Sequence, residues 1–380
     1  MVLFIFSLIL IFISSYLILC VLKPKENATA INYLFLIAFA QIILSFETLS
    51  LFTAISEKNI LCMNFLFLAG SIILYFVKGK PAWKPIKNNL ITRIFNSLKL
   101  DKSLRILLFG FCIFIISAIY LCAVMPVNNG DALGYHVARC LFWIAQRSLS
   151  HFPVSDIRLT SLPINSELLY TWTLLFFKKD VGIGFFAFTA YALTMMNVFT
   201  ILGELGYCVR KKLWTILILS ALPSVLIQAS TTETDIIIAW LVGSSFILFW
   251  KSLKNNQKQA VYMSALAFAI AVGTKPTSIM MIPSVGIFFI ILASHYKQYK
   301  KLLLFFLFGI LNFAIFSSYN YILNFIDFSN PMGLQSFIAV NKNTFGLKGA
   351  ISNKSLAADN ALSHSTSTQA RCLISAYSLK

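Results

Sequence analysis

Charge is scarce in this sequence. Only 12% of its 380 residues are Asp, Glu, Lys or Arg, and only 13 are acidic, whereas an ordinary soluble domain carries roughly 25% charged residues. With 58% apolar residues and a mean hydropathy of +0.81, a water-soluble core is excluded. Strand-like alternation is missing, which excludes a membrane β-barrel. The seven cysteines lie mostly in apolar segments, with no CxxC pair and no His cluster nearby, so neither a disulfide framework nor a zinc site is indicated. No internal repeat of parallel or inverted kind is evident, which counts against a secondary carrier. The opening stretch, Met1 to Leu22, lacks a basic n-region and is long for a signal h-region, so it reads as a retained first span.

What is present is apolar length. Thirty-six Phe and long runs of Leu and Ile fill windows of about 17 to 25 residues, the length an α-helix needs to cross about 30 Å of hydrocarbon. Hydropathy predicts ten spans, at about 2–22, 31–55, 60–77, 104–125, 181–203, 213–230, 235–250, 259–274, 277–294 and 302–322. The expected fold class is an all-α polytopic membrane protein of about ten transmembrane helices, with juxtamembrane amphipathic helices in a long outer loop.

The net charge of +18 would suggest nucleic acid in a soluble chain, but the Lys and Arg sit between the spans, and no nucleic-acid partner is expected. Lys78, Lys80, Lys84, Lys87, Arg93, Lys99, Lys102 and Arg105 share one connection, which the positive-inside rule places in the cytoplasm. Arg210, Lys211 and Lys212, then Lys251, Lys254 and Lys258, then Lys297, Lys300 and Lys301 join them on that side if Leu168 to Phe177 does not cross. That stretch is too short to span and runs into Lys178-Lys179-Asp180, so it reads as a juxtamembrane helix on the outer surface. The outer face then collects 126–180, Ser230 to Asp235, Thr274 to Pro276 and everything after about residue 323, with both termini extracytoplasmic. Three regions follow: 1–103 with three spans and the basic loop, 104–335 as the main membrane region, and 336–380 as a polar tail expected to be disordered.

The long outer loop carries the most informative residues. From Asn128-Asn129-Gly130-Asp131 to Ile144 it reads as a capped amphipathic helix. Leu133, Val137, Leu141 and Ile144 recur at i, i+4, i+8 and i+11 and give an apolar face. Asp131, Tyr135 and Arg139 recur at i, i+4 and i+8 on another face, with His136 beside them. Bland readings stand next to the chemical ones. An Asp after Asn-Asn-Gly is the expected N-cap, Arg139 and Trp143 suit interface anchors, and a single His is usually packed or solvated. Lys275, in Gly273-Thr274-Lys275-Pro276, breaks two spans at their outer ends, where it serves a polar site or snorkels. Asp235, in Thr234-Asp235-Ile236, serves a site or caps a helix. Glu167, four residues after Pro163, opens the juxtamembrane helix, where an acid also suits the helix dipole. Glu47 lies inside the second span, where a protonated structural role and a functional one compete.

The run Asp131-Ala-Leu-Gly-Tyr135-His136-Val-Ala-Arg139, followed by Trp143, His151-Phe152-Pro153, Arg158 and Leu162-Pro163-Ile-Asn-Ser-Glu167, resembles the first outer loop of GT-C superfamily glycosyltransferases. In particular it is similar to bacterial membrane proteins related to the dolichyl-phosphate-mannose and lipid A aminoarabinose transferase group, over roughly residues 104–335. The resemblance implies a GT-C-like multispan fold with an extracytoplasmic active site in a bacterial plasma (inner) membrane. The implied activity is sugar transfer from a polyprenyl-phosphate-linked donor to a glycan or lipid acceptor. It assigns Asp131 the role of the family's first-loop acid, a catalytic base or metal-binding group, and Asp235 and Glu167 those of further acidic site residues. A carboxylate that takes the acceptor proton permits attack opposite the leaving phosphate, inverting a hexosyl or pentosyl anomeric carbon. Tyr135, His136, Arg139, Arg158 and Lys275 would bind sugar and phosphate, the cations meeting the leaving phosphate. A divalent metal ion is compatible with that role, although no ligand cluster in the sequence establishes one. Relatives usually continue with further spans, so a compact member and an inactive, truncated relative are both expected alternatives. A third is a transporter or flippase in which Glu47, Asp235 and Lys275 line a path for a polar or lipid-linked substrate.

Overall fold

A computed structural model describes residues 2–85, 89–335 and 338. Among the described residues every regular element is helical. The chain opens with three long helices, α1 (Val2–Leu22), α2 (Asn27–Leu51) and α3 (Glu57–Val77). A short amphipathic helix, α4 (Leu90–Leu100), precedes α5 (Lys102–Val124). The connection after α5 holds a π-helical turn (Ala132–His136), α6 (Val137–Gln146), α7 (Arg158–Ser161) and α8 (Asn165–Phe177). There follow α9 (Gly184–Glu204), α10 (Val209–Ser220), α11 (Pro223–Ala229), α12 (Asp235–Asn255) and α13 (Lys258–Val272). The last elements are α14 (Thr277–Met280), α15 (Ile282–His295), α16 (Tyr299–Phe316) and α17 (Tyr319–Phe328). Residues 1–333 form one compact unit, and α1–α3 pack into it with the rest. Lys87 and nearly all of the expected polar tail, 336–380, lie outside the described residues.

The chain is an all-helical, multi-pass membrane protein in which α1, α2, α3, α5, α9, α12 and α16 are each long and apolar enough to cross a membrane. Three of the ten expected spans take other forms. The one expected at 213–230 is broken into α10 and α11 with a bend of 77°, because Pro223 has no N–H to continue the ladder and opens a new helix instead. The one expected at 259–274 is α13, a helix of 15 residues. The one expected at 277–294 is interrupted at Met281, with Pro283 in the first turn of α15. Hydropathy alone cannot register these breaks, since the flanking residues stay apolar. It also starts α2 late, because the first turn from Asn27 is polar yet helical.

Helix α8 corrects the expected surface placement. Its 13 residues are too few to span, but all from Asn165 to Phe176 are buried. It runs across the end of the bundle beneath α6, with α1, α2 and α13 around it. Trp172 of α8 donates to Ser7 Oγ in α1 (3.0 Å), and the Asn165 side chain donates to the carbonyls of Ile270 (3.3 Å) and Phe316 (2.9 Å).

The lysine-rich connections meet at the other end. Arg210 pairs with Asp101 at 2.8 Å, Lys254 with Glu204 at 2.7 Å, Lys251 with Glu26, and Lys301 donates to Ser252 O. Asp101 also accepts from Leu104 N (3.0 Å) and Trp214 Nε1 (3.0 Å), and these bonds and Arg210 hold its carboxyl down at about 2. Between the two ends, Asn32, Asn197, Trp240 and Ser244 form a buried network in which Asn32 Nδ2 donates to Asn197 Oδ1 at 2.7 Å and Trp240 Nε1 to Asn32 Oδ1 at 3.1 Å. Such mutual bonds are what polar side chains need where no water reaches.

Candidate active site

The turn after Asp131 does not follow the α-helical spacing. Val137 N–H donates to Ala132 O, five residues back, so the segment Ala132–His136 is a π-turn with one extra residue. That insertion splits the Asp131, Tyr135, Arg139 stripe. Asp131 stays exposed while Tyr135, His136 and Arg139 are buried. The inward face of the turn and α6 is therefore His136, Val137, Arg139, Cys140 and Trp143, and two of the expected apolar-face residues, Leu133 and Leu141, face outward.

Glu167, in the first turn of α8, is the centre on which the inward face converges. Its Oε1 lies 2.6 Å from His136 Nδ1 and 3.6 Å from Arg139 Nη1, and its Oε2 accepts from Ser166 Oγ at 2.7 Å. Burial alone would raise its pKa, but Arg139 and His136 outweigh it and hold the carboxyl below its ordinary value. Cys140 Sγ donates to His136 O (3.0 Å), and burial pushes its thiol up to about 12. Arg139 is wholly buried and its guanidinium serves backbone: Nη1 donates to Leu162 O and Pro163 O (both 3.1 Å), Nη2 to Arg158 O (2.6 Å). It also lies 5.4 Å from the Trp143 ring. Arg139 is thus the post around which residues 158–163 bend.

Asp131 stands apart. Its side chain makes no capping bond, so the bland N-cap reading fails; its own N–H donates to Asn129 Oδ1 at 2.9 Å instead. More than half of the carboxylate side chain is exposed, at 56%, with Arg158 Nη1 at 3.6 Å. Arg158 is gripped by Asp156, with Nε 3.0 Å from Oδ1 and Nη2 2.7 Å from Oδ2, and that fork holds the Asp156 carboxyl low. The Arg158 guanidinium lies 4.9 Å from the Tyr135 ring. Burial first, then the nearby charges of Asp131, Glu167 and Glu233, push the Tyr135 hydroxyl up to about 12. It is a neutral donor at physiological pH.

Asp235, the first residue of α12, pairs with Lys275 in the loop after α13, both partly exposed. Neither Thr234 nor Asp235 caps α12 through its side chain. Glu233, beside them, accepts from Asn129 Nδ2, and Tyr170 of α8 donates to Thr232 O at 3.0 Å. The Asp131 turn, α8 and the Asp235 loop thus form one end of the molecule.

Several supports were not evident from sequence. Asn320 of α17 donates to the carbonyls of Thr160, Ser161 and Leu162 (3.0–3.2 Å), and Asn324 to Ser161 O (2.9 Å) and Pro331 O (3.0 Å). Gly333 has φ +100°, and a Cβ there would lie 2.5 Å from the Ser161 side chain. The turn after the last span is therefore a clasp on the loop leading into α8. His151 Nδ1 faces Asp327 Oδ2 at 2.7 Å, a second tie between the same regions. For Asp156 the i, i+2 spacing to Arg158 was the available signal; for Asn320 there was none, since its targets are backbone carbonyls.

No three His, Cys, Asp or Glu side chains converge as metal ligands among the described residues. Asp131 has Arg158 beside it, and Asp235 has Lys275, so the donor set does not fit a divalent ion.

The fold and this end of it define a multi-pass membrane protein whose functional side chains gather around a short buried helix. The sequence model of the dolichyl-phosphate-mannose-protein mannosyltransferase family, a family of the GT-C superfamily, matches residues 163–321, less than half of the chain. The match bears out the resemblance and supports a membrane glycosyltransferase of the GT-C type. It takes in Glu167, Asp235 and Lys275, while Asp131, Tyr135, His136, Arg139 and Arg158 precede it. No curated protein and no solved structure matches the chain.

Proposed function

We propose that this protein transfers a sugar from a polyprenyl-phosphate-linked donor to a hydroxyl of an extracytoplasmic glycan or lipid acceptor, with Asp131 as the base. The observation that carries the reading is the exposed, uncapped carboxylate of Asp131 on the π-turn, next to Tyr135 and Arg158. In the proposed step Asp131 takes the acceptor proton as the acceptor oxygen attacks the anomeric carbon. The bond from that carbon to the phosphate oxygen breaks, and the phosphate leaves with its electron pair, inverting the centre. Arg158 and Lys275 are the partly exposed cations nearest the two acids and would meet the phosphate. Glu167 acts as a positioning residue: fully buried and held by His136 and Arg139, it fixes the loop and π-turn. Asp235 holds Lys275 until the phosphate arrives.

A lipid-borne donor is supported by an apolar cavity of about 440 Å³ beneath α8, lined by Phe39, Leu169, Trp172, Phe186 and Trp240 among others. The transport alternative has less to support it, because the family match is to glycosyltransferases and the buried polar side chains Asn32, Asn197 and Ser244 bond one another. Membranes bearing Asp131→Asn, given labelled polyprenyl-phosphate sugars, are expected to lose transfer by roughly 10²–10⁴-fold at normal expression. Transfer at the wild-type rate would remove Asp131 as base.

A further inference from the structure

The opposite end of the bundle holds a second cavity, of about 670 Å³, bounded by α2, α4, α9, α10 and α12. Three helix N-termini open onto it through Asn27 of α2, Asn89 and Leu90 of α4, and Val209 of α10, and each of these helices has at least 11 residues. Their partial positive charges favour an anion. Two cationic side chains, Arg93 and Lys212, line the same space. Among the described residues neither head group has a hydrogen-bond or ion-pair partner; the Lys212 ammonium sits 4.2 Å from the Phe199 ring centroid and against Gly203. Two acids, Glu26 and Glu204, also reach the cavity, but Lys251 pairs with both and Lys254 takes Glu204 at 2.7 Å. The uncommitted charge is therefore positive.

The rest of the lining separates a lipid from a free anion. Ile31, Met196, Phe199 and Val209 give the cavity an apolar side. Helix α4, which forms one wall, packs Ile94 and Leu98 against α5 and α10 while Ile91 and Phe95 stay exposed. A helix so built suits the plane of a membrane interface. We propose that this cavity binds the phosphate head of an anionic membrane lipid, held between Arg93 and Lys212 with its chains along the apolar wall. The site lies away from Asp131 and stands whether or not the sugar chemistry holds.

The purified full chain in neutral detergent, titrated with phosphatidylglycerol and followed by thermal unfolding, tests this. Phosphatidylglycerol is expected to raise the midpoint where phosphatidylcholine does not. The double variant Arg93→Ala, Lys212→Ala should need about tenfold more lipid for the same shift. Arg93→Lys with Lys212→Arg should respond like wild type, and Lys300→Ala, which removes an exposed basic residue outside the cavity, should too. An unchanged response in the double Ala variant, or an equal loss in Lys300→Ala, would overturn the site. Inorganic phosphate matching the lipid at equal concentration would overturn the lipid assignment.

Discussion

Glu167 is fully buried beside a cation and an imidazole, and its value to the fold depends on staying charged. Removing one partner of such a buried pair costs about 3–5 kcal/mol, so Glu167→Gln is expected to lower the thermal midpoint of the solubilised protein markedly at neutral pH. The pH dependence has a definite sign. A carboxyl held below its ordinary value contributes stability that is complete above the unfolded value of about 4.3 and is lost as pH falls through the lower folded value. The wild-type midpoint should fall most steeply below about pH 4. Glu167→Gln should show a shallower acid limb, the remainder coming from Asp101 and Asp156, whose carboxyls are depressed in the same sense. Residue identities in this cluster were legible in the sequence, but their division of labour was not. Asp131, Glu167 and Arg139 all looked like site groups, and only burial separates the exposed acid Asp131 from the interior pair of Glu167 and Arg139.

At the scale of elements, the π-turn and α8 show where periodicity stops informing. Spacing of four implies one face only in an unbroken α-helix, and the extra residue at Ala132–His136 cancels that inference for Asp131, Tyr135 and Arg139. Helix α8 was recognised as too short to cross, yet its burial depends on α1, α2 and α13 closing around it, which no local pattern encodes. Gly273 marks that closure: a Cβ there would come within 2.4 Å of Asn165 Nδ2 and 2.5 Å of Ser317 Oγ. Gly273→Ala should destabilise by about 1–3 kcal/mol, and adding Ser317→Gly should recover part of the loss in a denaturation series. The cavity beneath α8 gives a separate test. Ala38→Trp, placed on its wall, should raise KM for a long-chain polyprenyl donor several-fold and leave a short-chain donor unaffected.

For the whole molecule, charge placement was the most informative sequence signal. The connections rich in Lys and Arg do meet at one end, tied by Arg210 to Asp101, Lys254 to Glu204 and Lys251 to Glu26. The number of crossings was less legible, because proline breaks and short helices keep the hydropathy of a span without its length. With the native cysteines replaced by Ala, Ser155→Cys is expected to react with a membrane-impermeant maleimide in intact cells. Lys300→Cys should react only after permeabilisation. The reverse pattern would put the Asp131 end on the cytoplasmic side.

The clasp from α17 has a consequence for biogenesis. Asn320 reaches back to Thr160, 160 positions earlier in the chain, so the loop entering α8, already bent around Arg139, gains its second fastening only when the ribosome has delivered α17. Every earlier helix can be in the bilayer while that loop is still held from one side only. The candidate site is therefore completed late in synthesis, and a nascent chain released before Asn320 would carry Asp131, Glu167 and Asp235 with Arg139 alone holding the loop that enters α8.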